Sequence, residues 1–100
     1  MRYLIALLLA TSAHASEGLI AEAKAHIGRN LKDPYSAVYE VYMGKAANGE
    51  PVVCGTVNAK NSYGAYGGRK RFYYLRQSGQ IEDGGSSTVL IDALCGKNTR

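Results

Sequence analysis

Cys54 and Cys95 are the only two cysteines among 100 residues, and what they do sets how small a core this chain can fold around. The compartment decides their chemistry, and the N-terminus reads as an address. Arg2 supplies a positive start, Tyr3 to Ala10 form a short apolar run, and Ala13-His14-Ala15 is the small-x-small pattern cut by signal peptidase. An apolar run of about eight residues falls well short of the roughly twenty that span a bilayer, so cleavage after Ala15 is expected, with no transmembrane segment left behind. The next residue is Ser16 and not a cysteine, which gives no support to a lipid anchor. The expected location is periplasmic or secreted.

Read this way, residues 16–100 make one small exported domain. A chain of that length buries only about 60% of the surface its unfolded form exposes, so a covalent staple matters. An even cysteine pair in an oxidising compartment becomes a disulfide. Joining Cys54 to Cys95 closes a loop of about 42 residues, which stabilises by about 4 kcal/mol on the chain-entropy model. The competing reading is a two-cysteine metal site, which needs further ligands at metal-binding spacing. His26 is the one histidine after the leader, it lies far from both cysteines in sequence, and it reads as a half-exposed surface residue. No metal and no cofactor is expected. Without Arg2 the chain carries eleven Lys and Arg against eight Asp and Glu, an ordinary charge for a small soluble domain.

Ile20, Ala23, Ile27 and Leu31 recur at three- and four-residue steps, which predicts an amphipathic helix from Ser16. Gly28 weakens its last turn, implying close packing or fraying there. Asp33 reads as an N-cap and Pro34 as the first residue of a single helical turn, because proline excludes its predecessor from helical geometry. Val38 to Met43 alternates as a strand, with Tyr39, Val41 and Met43 opposite Val38, Glu40 and Tyr42. Asn48-Gly49 signals a hairpin, with Gly44 as a candidate bulge. A second strand follows from Val52 to Asn58, with Pro51 at its start. Arg69 to Leu75 reads as a third strand, with Lys70, Phe72 and Tyr74 on one face and Arg69, Arg71, Tyr73 and Leu75 on the other, in a sheet with one face partly wet. Gln77 to Gln80 reads as a turn before a short fourth strand at Ile81. Ser86 to Leu94 suits a strand or a short helix; the helix is preferred, capped by Ser86 or Ser87, stopped by Gly96, with Val89, Leu90, Ala93 and Leu94 on one face. The expected fold is α+β: an N-terminal helix packed on a small three- or four-stranded antiparallel sheet, one disulfide and a short C-terminal helix or strand.

The chemical individuality lies in Asn58 to Arg71. Tyr63 and Tyr66 offer flat amphipathic area, Gly64, Gly67 and Gly68 let a backbone approach closely, and Asn58, Lys60, Asn61, Arg69, Lys70 and Arg71 add polar and charged donors. Such residues make adaptable recognition surfaces. The plainer alternative folds both tyrosines back over the sheet and leaves the cations as a solvated edge. Cations beside aromatics also suit nucleic acid, but an exported protein meets little of it and the charge is modest. No nucleophile with its base, phosphate loop or zinc signature is visible, so no catalytic residue is assigned and the chain is not expected to be an enzyme.

Leu31-Lys32-Asp33-Pro34-x-Ser36-Ala37, followed by Val53-Cys54-Gly55-x-Val57-Asn58-Ala59-Lys60-Asn61-Ser62-Tyr63-Gly64-x-Tyr66-x-Gly68 and Phe72, resembles a group of small exported proteins of Gram-negative bacteria and their phages. An LKDPxSA turn, a CGxVNAKNSYGxYxG segment and a late second cysteine recur in that group. The resemblance implies an envelope location and a Cys54–Cys95 bridge, and supplies no catalytic residues. Ala65 and Gly67 depart from it, standing where glycine and a polar residue are expected. The expected function is non-enzymatic binding to an envelope or extracellular protein; one form is a phage-encoded factor that blocks a receptor against further infection. A structural or accessory subunit of an envelope complex is the rival.

Overall fold

The computed structural model describes residues 16–96. The leader read at residues 1–15 lies outside them. The fold is α+β: helix α1 (residues 16–28), a 3-10 turn at Pro34–Ser36, four strands and a C-terminal helix. The strands β1 (Val38–Lys45), β2 (Pro51–Asn58), β3 (Lys70–Leu75) and β4 (Ser78–Ile81) form an antiparallel meander in chain order. Helix α2 spans Ser86–Cys95. Among the described residues no helix is long and apolar enough to cross a membrane.

The helices cover opposite faces of the sheet, so β2 is buried without a break from Val52 to Val57. On one face Ala23 and Ile27 of α1 pack with Val53, Val57, Phe72 and Tyr74, and Tyr39, Val41 and Ile81 border them. On the other, Ile91 of α2 packs with Val52, Cys54 and Tyr73. Helix α2 closes this face over β2 and β3, and the partly wet part expected of the sheet lies along β1, where Val38, Glu40 and Tyr42 stay exposed. Cys54 and Cys95 are joined, with Cα atoms 5.9 Å apart, which excludes the metal reading for these cysteines. The bridge and the Tyr42 hydroxyl, which donates to the Cys95 carbonyl at 2.8 Å, fasten the end of α2 to the sheet.

Several local expectations need correction. Asp33 occupies the cap position without a side-chain cap bond; the turn closes instead through Ser36 Oγ, which donates to the Asp33 carbonyl at 2.8 Å. Gly44 is no bulge, since it pairs in unbroken register with Val52. The third hairpin turns at Arg76-Gln77, both at positive φ (53° and 66°), and Ser78 to Gln80 belong to β4. Two-residue hairpins need that conformation, and Arg76 is held in it by Glu50, whose carboxylate accepts its Nε at 2.6 Å. Gly85, not Ser86 or Ser87, caps α2. The helix also presents a different face: Ser87 and Ile91 are buried, whereas Val89 and Leu90 are 67% and 42% exposed. Cys95 fixes that phase, because the residues four and eight before it must face the sheet with it.

Candidate functional site

The tight turn after α1 and the long β2–β3 connection meet at Ser36. Its hydroxyl accepts the Lys60 N–H at 2.8 Å, and its carbonyl accepts the Tyr66 hydroxyl at 3.0 Å. The connection itself is a small hairpin closed by a Lys60–Tyr66 bridge. Asn61 Oδ1 accepts the N–H groups of Tyr63 and Ala65 at 2.9 and 3.2 Å, and its own N–H donates to the Ala65 carbonyl at 2.8 Å. Asn58 Oδ1 accepts from Gly68 N–H at 3.1 Å. Gly64, at φ +81°, makes the reversal that a side chain would disfavour. Asn58 and Asn61 thus shape the loop, as asparagine does where it replaces a backbone partner in a turn.

The two loop tyrosines have separate roles. Tyr66 is half-exposed, tied to Ser36, with the Lys60 ammonium 5.9 Å from its ring centre. Tyr63 at the tip is 94% exposed. Tyr35, adjacent to the Ser36 anchor, is 100% exposed. Sequence reasoning passed over Tyr35 because its neighbours read as turn chemistry. The turn itself carries the signal: Ser36 is bonded to Lys60 and Tyr66, and the preceding residue of the same 3-10 turn is left outward.

The basic exit divides by strand alternation. Arg69 pairs with Glu40 at 3.0 Å. Arg71 is half-buried and pairs with Asp92 at 2.7 Å and Glu82 at 3.6 Å, and the hydrogen bond with Asp92 is the main cause that raises its pKa. These two arginines join strands and α2. Lys70 points to the opposite face, as the cross-strand partner of Val57.

On that face, beyond the end of α1, lies an open cleft of about 730 Å³. Leu31, Val57 and Ile81 form its apolar floor, and Lys32, Lys60 and Lys70 stand around it. His26 borders it, with its ring 5.3 Å from that of Tyr74. Glu82 and Asp83 line the far side and are engaged locally: Glu82 Oε2 accepts the Arg71 N–H at 2.7 Å, and Asp83 Oδ1 accepts from the Ser87 hydroxyl at 2.6 Å and Gly85 N–H at 2.8 Å. The Ser87 bond, then Gly85, holds the Asp83 carboxyl below its ordinary range. The cleft was not visible in the sequence, since its lysines come from three separate segments. Among the described residues no group of three or more His, Cys, Asp or Glu is placed to hold a metal.

No protein-family model matches the chain, and neither a curated protein nor a solved structure is significantly similar to it.

Proposed function

We propose that the protein is an exported, non-enzymatic binding module that engages an envelope or extracellular protein through the 58–71 loop and the adjoining Pro34–Ser36 turn. The observation that carries this reading is the exposure of Tyr63 and Tyr35 on segments whose own hydrogen bonds are already made. Large aromatic surface held in water has no structural return, and a loop ordered beforehand loses little entropy when it binds. The disulfide is compatible with a location outside the cytoplasm.

The test is affinity capture from an envelope extract with the disulfide-bonded protein and its Tyr35→Ala/Tyr63→Ala variant. Neither side chain is buried, so the melting temperature should be unchanged. Capture should weaken by about thirtyfold or more if the pair acts as an aromatic anchor. Equal capture by both proteins would sink the reading. Co-purification at fixed stoichiometry irrespective of the two tyrosines would mark an accessory subunit instead.

A further inference from the structure

The cleft at the end of α1 has a charge imbalance that the rest of the fold does not use. Arg69, Arg71 and Arg76 each pair with a carboxylate. By contrast, Lys32, Lys60 and Lys70 are exposed and have no carboxylate partner among the described residues. All three line one cleft, although they come from the turn after α1, the base of the loop and the start of β3. Its two carboxylates are already bonded within the protein, Glu82 to Arg71 and Asp83 to Ser87 and Gly85. The carbonyls that close the end of α1 are likewise used: Arg29, Asn30 and Leu31 donate to His26, Ile27 and Gly28 at 3.3, 3.0 and 3.1 Å. Glu82 is offset by Arg71, and Asp83 leaves one negative charge against three lysines, so the net charge facing a guest is positive.

We infer that this cleft binds a small organic anion, an acidic headgroup held by Lys32, Lys60 and Lys70 with an apolar stem lying on Leu31, Val57 and Ile81. A space of about 730 Å³ falls within the range of small-molecule sites, which combine an apolar lining with a few convergent polar groups. Three lysines on flexible stems act as point charges and not as a geometric fork, so they select for charge more than for headgroup shape. Carboxylates, sulfonates and phosphates therefore share the site. The cleft shares the base of the 58–71 loop, through Lys60 and Lys70, with the proposed protein-binding surface, but the exposed aromatics Tyr35 and Tyr63 are not among its lining residues.

The probe is anilinonaphthalene sulfonate, an anion on an apolar body, titrated into the disulfide-bonded protein by fluorescence and calorimetry. One molecule should bind per chain. Each lysine contributes about threefold and K32Q/K60Q/K70Q together about thirtyfold, the range for exposed charge pairs. The melting temperature should hold, and raised salt should weaken the wild type alone. Octanoate or octyl phosphate should displace the probe, with octanol far weaker; which acid does so better identifies the headgroup class. Tyr63→Ala should leave the affinity unchanged, which separates this site from the loop surface. No saturable binding, equal affinity in the triple variant, or displacement by octanol as effective as by the acids would each overturn the inference.

Discussion

Gly55→Ala should lower stability by about 3 kcal/mol or more, the sum expected from a strained backbone and an overpacked site. Gly55 sits in the middle of β2, paired with Val41 on one side and Phe72 on the other. A Cβ there would lie 2.0 Å from the Glu40 carbonyl oxygen and 3.1 Å from the Val41 Cα. Both obstacles are backbone of the neighbouring strand, so no rotamer change relieves them. The residue also adopts φ +155°, where L side chains are rare. In a domain whose whole stability is about 5–15 kcal/mol, the variant should melt about 15 °C lower or fail to fold. A thermal melt followed by circular dichroism decides it, and an unchanged midpoint would mean that β1 and β2 are not so closely apposed.

Removing the bridge is the second large effect. The Cys54→Ala/Cys95→Ala variant should lose about 4 kcal/mol and about 20 °C in melting temperature, because a long loop of the unfolded chain is freed. The loss should be uneven. Cys54 belongs with Val52, Tyr73 and Ile91 to the cluster under α2, whereas the cluster under α1 contains no cysteine. Amide exchange should therefore rise first in Ser86–Cys95, with Ala23, Ile27 and Phe72 still protected. Uniform exchange throughout the chain, or a midpoint insensitive to the bridge, would contradict this division.

Much of the scaffold could be read from residue order. The spacing of Ile20, Ala23 and Ile27 marks α1, alternation marks β1 and β3, and Pro51 and Asn48-Gly49 mark where the first hairpin turns. Each is a local signal. What escaped depends on contacts distant in sequence. The face that α2 buries is set by the bond from Cys95 to β2, which its own apolar pattern does not contain. Arg76-Gln77 lacks the usual turn residues, and the turn is held by Glu50 from another hairpin. Nothing local marks Gly55, whose need for a bare Cα comes from the Glu40 carbonyl of the neighbouring strand.

The same distinction applies to the site. Its loop was recognisable by composition, but the fates of its residues were not: Tyr66 is an anchor and Tyr63 a free surface because Ser36, thirty residues before Tyr66, supplies the bond. Arg71 reads as a recognition cation and is an internal tie. Lys32, which has no distinction in sequence, shares a cleft with Lys60 and Lys70.

The central claim is that the loop is ordered before any partner arrives. Backbone nitrogen relaxation by NMR on the isolated, disulfide-bonded protein measures this directly. Residues 60–68 should show order parameters near those of the strands, about 0.85, in keeping with the bonds from Asn58, Asn61 and Ser36; values under about 0.6 across the loop would contradict the account.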